Sequence, residues 1–221
     1  MINVAIDGPA GAGKSTISKK AAETLGYIYI DTGALYRTVG LAALRAGKNL
    51  EDSESIKTVL TDELSVELKF IDGQQRMFLN SEDVSEAIRT PEASMAASRV
   101  SAVLDVREYL FGLQKKLAKE NNCIMDGRDI GTVVLPDAKV KIFLTASPEA
   151  RAQRRYKELL EKGMDVKYED VLSDMIERDY NDSHRAIAPL KQADDAVLCD
   201  TSELSLEESV ELIIKTIKDN I

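Results

Sequence analysis

Gly8-Pro9-Ala10-Gly11-Ala12-Gly13-Lys14-Ser15, just behind the apolar run Val4-Ala5-Ile6, decides how this chain of 221 residues folds. The octapeptide fits G-x-x-x-x-G-K-[ST], the loop that joins a β-strand to a helix and cradles the phosphates of a nucleoside triphosphate. Its glycines let successive backbone N–H groups curl around phosphate oxygens. Lys14 supplies a point charge for the β and γ phosphates, and Ser15 a hydroxyl for Mg²⁺. The helix that follows aims its positive end at the same place. The competing reading is a glycine-rich turn without a ligand, and the strand–loop–helix context speaks against it.

Outward from the loop, short apolar runs alternate with longer helical patterns, as in βαβ units that build a parallel sheet. Val4–Ile6, Tyr27–Ile30, Cys123–Met125, Val140–Leu144 and Ala196–Cys199 are the expected strands. Ile17, Ala21 and Leu25 recur at helical spacing, with Gly26 where a C-terminal cap belongs. Leu206, Val210, Ile213, Ile214 and Ile217 give a last helix one apolar face. One segment departs from this scheme. Leu64, Val66, Leu68 and Phe70 alternate with polar residues, and Asp72-Gly73 signals a turn before Met77-Phe78-Leu79. That pattern predicts an antiparallel hairpin with one wet face, the centre of a small insert over residues 58–90. Thr90-Pro91 reads as an N-cap followed by proline at the first helical position.

Composition narrows the partners. With 38 acidic against 29 basic residues the formal net charge is −9, the opposite of what a duplex-binding surface needs, so no nucleic acid is expected. No run approaches the ~18 apolar residues of a membrane span, so no membrane is expected either. Met1–Ile6 lacks the basic start of a signal peptide, and the expectation is a cytoplasmic protein with nothing ahead of the fold. Cys123 and Cys199 stand in apolar runs and read as buried thiols. Two isolated cysteines and the single histidine, His184, offer no metal-ligand spacing, and His184 reads as an incidental exposed side chain.

The class of phosphate-loop protein depends on what accompanies the loop. D-x-x-G, N-K-x-D and L-S-G-G-Q are all missing from the sequence, which excludes the usual GTPase switch and transporter signatures. Six of the twelve arginines fall from Arg128 to Arg185. Asp31-Thr32-Gly33-Ala34-Leu35-Tyr36-Arg37 and Asp126-Gly127-Arg128-Asp129 each follow an expected strand, at the carboxyl edge where such sheets bind ligands. Asp126 closes an apolar strand, the place of an acid near the metal's waters; a plain β-turn is the alternative for its tetrapeptide. Arg151, Arg154 and Arg155 fall in a helical stretch, either as a second phosphate-binding group or as a solvated face paired with Glu149, Glu158 and Glu161. A second set of anion-binding groups implies a phosphorylated acceptor. The oxygen of such an acceptor is already ionised near neutral pH (second pKa ~6), so transfer needs no general base, only alignment and charge neutralisation.

Gly8–Thr16, Asp31–Arg37, Asp126–Val134 and Arg185-Ala186-Ile187-Ala188-Pro189-Leu190 together resemble the bacterial cytidylate kinases, and the similarity runs from Val4 to the C-terminal helix. The resemblance implies an α/β P-loop kinase, a single domain over residues 1–221. Its core would be a five-stranded parallel sheet, with the antiparallel insert at 58–90 and a short lid at 151–165. It implies transfer of the γ-phosphoryl group of ATP to CMP or dCMP, with Mg²⁺; a monomer is the expected state, though nothing in the residues fixes it. ATP would be held by Gly8, Pro9, Ala10, Gly11, Ala12, Gly13, Lys14, Ser15 and Thr16. Lys14, Arg128, Arg154 and Arg155 would be catalytic; Ser15 and, through water, Asp126 would hold the metal. Arg37, Arg128 and Arg185 would bind the acceptor phosphate, with Thr32 standing where some relatives have serine. Ser98, Arg107 and Asp129 would read the cytosine, and Arg178 and Asp182 the sugar. A kinase for another acceptor, such as uridylate or a carbocyclic acid, and a nucleotide-operated binding switch are the competing functions.

Overall fold

The computed structural model describes residues 1–161 and 163–221. The chain opens with β1 (Asn3–Asp7), α1 (Lys14–Leu25), β2 (Ile28–Asp31), α2 (Thr32–Arg45) and α3 (Ser53–Lys57). Then come β3 (Val66–Ile71), β4 (Gln74–Leu79), β5 (Glu82–Asp83), α4 (Pro91–Val100) and α5 (Leu104–Glu120). It closes with β6 (Cys123–Gly127), β7 (Val140–Thr145), α6 (Pro148–Glu161), α7 (Tyr168–His184), β8 (Val197–Asp200) and α8 (Leu206–Asp219). Two compact units result, Met1–Tyr29 with Glu120–Ile221, and Ile30–Lys119.

The first unit is built on a five-stranded sheet in the order β2-β6-β1-β7-β8. β1 runs parallel to β6 and β7, and β7 parallel to β8, so their carboxyl ends share one edge. A central strand covered on both faces must be apolar throughout, and Val4, Ala5 and Ile6 are fully buried. Ile17 and Ala21 of α1 and Ile213 and Ile217 of α8 pack with Val4, Ile6, Ile124, Ile142 and Leu144. Gly26 caps α1 in the left-handed conformation as its position predicts, its N–H reaching back to the helix's last carbonyls. Cys123 and Cys199 are free and buried, and burial pushes the Cys123 thiol up to about 12. All five expected strands shift slightly at their ends: β1 gains one residue at each end, β2 and β8 each start and stop one residue later, β6 runs on to Gly127 and β7 to Thr145.

The second unit contains the expected hairpin. β3 and β4 pair antiparallel, closed by Asp72 and Gly73 with φ of 52° and 72°, the two positive angles of a type I′ turn. The strand starts later than the alternation predicts. Leu64 stays outside β3: its N–H donates to the Thr61 carbonyl and its own carbonyl accepts from the Tyr109 hydroxyl. The apolar face is covered only at its base, with Val66 and Leu68 buried and Phe70 exposed. A short third strand, β5, was not foreseen; ion pairs Arg45–Glu82 and Arg76–Asp83 hold it. α4 opens as Thr90-Pro91 predicts, the Thr90 hydroxyl accepting from Ala93 N–H. α2 packs on α4 at Gly40, where a Cβ would fall 2.9 Å from that of Ala96, so only glycine allows that approach.

Candidate active site

The phosphate loop lies between β1 and α1, at the carboxyl edge of the sheet. A Cβ at Gly8 would meet the Leu144 carbonyl oxygen at 1.9 Å, so the loop passes β7 at a distance no other residue permits. Gly13 stands immediately before α1 with φ 82°, the left-handed turn that points main-chain N–H groups inward. Lys14 is buried, and its amine donates to the Pro9 carbonyl at 2.7 Å. Burial holds the Lys14 amine well below the usual lysine range, and Arg128 pushes it the same way; Asp126, Asp7 and Asp182 oppose them. Ser15 is exposed at the start of α1 and donates its hydroxyl to Asp126 Oδ2 at 3.0 Å, while the Tyr29 hydroxyl donates to Oδ1. Asp126, near the end of β6, is buried and faces the loop's serine.

Beyond Asp126 the chain turns through Arg128 and Asp129 into a single π-type turn, Ile130–Val134. Asp7, the last residue of β1, accepts hydrogen bonds from the N–H groups of Ile130 and Gly131, both at 2.7 Å. Burial pushes the Asp7 carboxyl up to about 6; those two N–H groups pull it down, Asp129 pushes it up and Lys14 lowers it. Arg128 donates through Nε to Asp182 Oδ2 at 2.8 Å. Burial would raise the Asp182 carboxyl, but Arg128, Arg178 and Arg185 together hold it below the ordinary carboxylate range. Arg185 reaches Asp129 at 3.5 Å and anchors its Nε on the Ala188 carbonyl. Ala188 has φ 47°, a left-handed angle uncommon for alanine, which turns the chain back so that Leu190 N–H meets the Asp182 carbonyl. Arg128, Asp129, Arg178, Asp182 and Arg185 therefore form one charged network beside Lys14.

The three arginines of α6 part ways. Arg151 is buried: Nε donates to the Ala146 carbonyl, Nη1 to the Ala10 carbonyl, and its guanidinium pairs with Asp179 at 2.6 Å. It braces the phosphate loop against α7. Arg154 donates to the Thr201 carbonyl, and Arg155 pairs with Glu158 at 2.8 Å on a partly solvated face. Within the lid expected at 151–165, Lys162 is outside the described residues. His184 is exposed and stacked on Tyr180.

In the second unit Asp31 caps α2, accepting from Ala34 N–H with Oδ1, and pairs through Oδ2 with Arg37 at 2.7 Å. Gly33 permits this, since a Cβ there would fall 3.1 Å from both Arg37 Nη1 and Asp31 Oδ1. Gln75, on the hairpin, accepts from Asp31 N–H and donates to its carbonyl. Thr32 is buried, Ser98 is exposed on α4, and Arg107 is buried on α5 with its guanidinium over the Tyr36 ring. Sequence reasoning passed over Asp7, Tyr29 and Gln75. Asp7 carried a signal: it is a charged residue closing a strand otherwise apolar.

A parallel sheet whose central strand delivers a phosphate loop, with a carboxylate on the loop's serine and an arginine network on the same edge, defines a P-loop phosphotransferase. The profile of the cytidylate kinase family matches residues 4–219. A cytidylate kinase of Caldicellulosiruptor bescii is 52% identical over 224 residues, covering 100% of this chain and 99% of its own. One from Thermosipho melanesiensis is 51% identical, covering 98% and 96%. An uncharacterised protein of Eubacterium ventriosum superposes with a TM-score of 0.56 at 14% identity over 99% of both chains, which speaks for the fold alone. This chain belongs to the cytidylate kinase family, the phosphotransferases that phosphorylate CMP and dCMP with ATP.

Proposed function

We propose that the charged network around Arg128 holds the acceptor monophosphate in line with an ATP bound on the phosphate loop. The observation that carries this reading is the charged cluster in which Arg128 pairs with Asp182 at 2.8 Å and Arg185 with Asp129 at 3.5 Å, with Arg178 and Arg185 also acting on the Asp182 charge. Cations crowded in this way are relieved by polyanions, and two are the substrates of this reaction. Gly8 to Thr16 take the triphosphate, with the Lys14 charge on the phosphoryl group in flight. Arg128, Arg185 and Arg37 bind the acceptor phosphate beside Thr32, and Arg178 and Asp182 the sugar. Asp129, Ser98 and Arg107 read the base: a carboxylate, a hydroxyl and a guanidinium complement the amino group, N3 and O2 of cytosine. Arg154 and Arg155 serve the transferring phosphate from a lid that excludes water. The acceptor oxygen is already ionised, so no side chain has to take a proton.

The donor set near the loop suits Mg²⁺. Ser15 and Asp126 offer hard oxygens 3.0 Å apart, and Mg²⁺ commonly takes one or two protein oxygens, several waters and the substrate's phosphates. Among the described residues no cluster of three or more histidine, cysteine or acidic side chains could hold a metal ion. When bound, Mg²⁺ neutralises phosphate charge. Among the described residues no helix is long and apolar enough to cross a membrane. We place the protein in the cytoplasm as a monomer, a reading that light scattering of the purified chain checks for its second half.

The test is ADP release with CMP, dCMP, UMP and AMP offered separately. CMP and dCMP are expected to turn over fastest, UMP slowly and AMP not measurably. A preference for UMP or AMP overturns the assignment of the base-reading residues.

A further inference from the structure

We propose that Asp7 is a positioning residue, whose carboxylate clamps the turn carrying Arg128 and Asp129 to the base of the phosphate loop. The proposal rests on the acceptor-site reading above.

The turn is held at two points. At its start, Gly127 is in register with Asp7 across the β1–β6 ladder. Three and four residues later, Ile130 and Gly131 donate their N–H groups to Asp7 Oδ1 and Oδ2. Arg128 and Asp129 are the only residues between these attachments, so Asp7 sets the span from which both side chains project. Asp7 is itself followed directly by Gly8, the first residue of the phosphate loop. One side chain therefore ties the donor's loop to the acceptor's turn.

The choice of residue fits a clamp better than filler. Asp7 is 4% exposed, and burying a carboxylate costs free energy that a neutral side chain avoids. Only a carboxylate offers two acceptor oxygens in one plane with no donor; asparagine at the same place would turn an NH₂ toward one of the two N–H groups. The fit is tight on the far side too. A Cβ on Gly131 would fall 3.3 Å from Asp7 Oδ2 and 3.3 Å from Lys141 Cδ.

The test is steady-state kinetics on Asp7→Asn, with equilibrium ATP binding and Tm measured alongside. Losing one hydrogen bond to a charged group and misplacing the turn should lower kcat/KM for CMP on the order of 10- to 100-fold. The Kd for ATP should stay within about 3-fold of the parent, and the CMP:UMP ratio of kcat/KM should fall, because Asp129 moves with the turn. Equal losses for ATP binding and CMP use, or an unchanged CMP:UMP ratio, would make Asp7 merely structural and overturn the proposal. Should Asp7→Asn fail to fold, Gly131→Ala presses on the same carboxylate from the other side and is expected to show the same split; parent-like kinetics there overturn the proposal equally. Arg128→Lys separates this idea from the reading beneath it. Parent-like CMP kinetics in Arg128→Lys would remove Arg128 from the acceptor site and take both down. A loss there with a parent-like Asp7→Asn overturns the clamp alone.

Discussion

Lys14 and Asp129 carry the sharpest consequences of single side chains. Lys14 is buried with its amine on the Pro9 carbonyl, at the start of the helix that follows the loop. Lys14→Ala should lower kcat on the order of 10²- to 10³-fold while the protein stays folded, measured by ADP release beside a thermal melt. Asp129 is buried, its carboxylate 3.5 Å from Arg185. An ionised carboxylate only accepts hydrogen bonds, which suits the cytosine amino group and repels the O4 of uracil. Asp129→Asn should lower kcat/KM for CMP by roughly 5- to 150-fold, one base contact being worth ~1–3 kcal/mol, while UMP loses less or improves. Equal losses for both nucleotides would assign Asp129 to ordering Arg185 or Arg128 in place of reading the base.

Among the elements, α6 holds its arginines in two different settings along its length. Its first turn is structural. Arg151 satisfies carbonyls of two loops and pairs with Asp179 while almost completely buried. Arg151→Ala leaves Asp179 and two carbonyls without their partner, and the loss of stability should be about 3 kcal/mol in urea unfolding. Its next turn is more open, with Arg154 on the Thr201 carbonyl and Arg155 on Glu158. Exposed i,i+3 pairs of the Arg155–Glu158 kind contribute little to stability. Neutralising Arg154 and Arg155 together should therefore cost stability mainly through the Thr201 carbonyl that Arg154 leaves, about 1 kcal/mol, yet lower kcat more than it weakens CMP binding. Parent-like turnover in that double variant would reduce the pair to a solvated salt-bridged face.

For the molecule as a whole, the buried acids give stability a pH dependence of two signs. Asp7 has its folded pKa raised from 3.8 to about 6, so the folded state holds its proton more tightly than the unfolded chain. The stability this lends is complete below about pH 4 and is lost as pH rises through 6, on the order of 3 kcal/mol. Asp182, lowered by its arginines, works the other way: its stabilisation is present above the unfolded value and lost as pH falls through the folded one. Denaturant unfolding at pH 4.5 and pH 7 should show Asp7→Asn gaining on the parent as pH rises. A difference independent of pH would mean that Asp7 does not titrate in this window.

Much of this protein was legible in residue order because the features are local. The phosphate loop needs positive φ at fixed spacings, so its glycines announce it; Gly26, Thr90-Pro91 and Asp72-Gly73 announce a cap, a helix start and a turn for equally short-range reasons. The alternation from Leu64 to Phe70 predicted a hairpin, but not that cover would end at Leu68, because burial depends on what packs opposite. The acceptor motifs were recognisable as types, while their pairing was not. Arg151, Arg154 and Arg155 look alike within one helical stretch; the pair Arg155–Glu158 is local, but only the tertiary structure assigns Arg151 to the loop's Ala10 and Arg154 to Thr201. Likewise nothing near Asp7 in sequence shows that its partners are the N–H groups of Ile130 and Gly131, 123 and 124 residues away. Backbone angles and hydrophobic period are properties of neighbouring residues. Hydrogen-bond partners and buried charge are set by distances through space, which exist only once the sheet has brought its strand ends together.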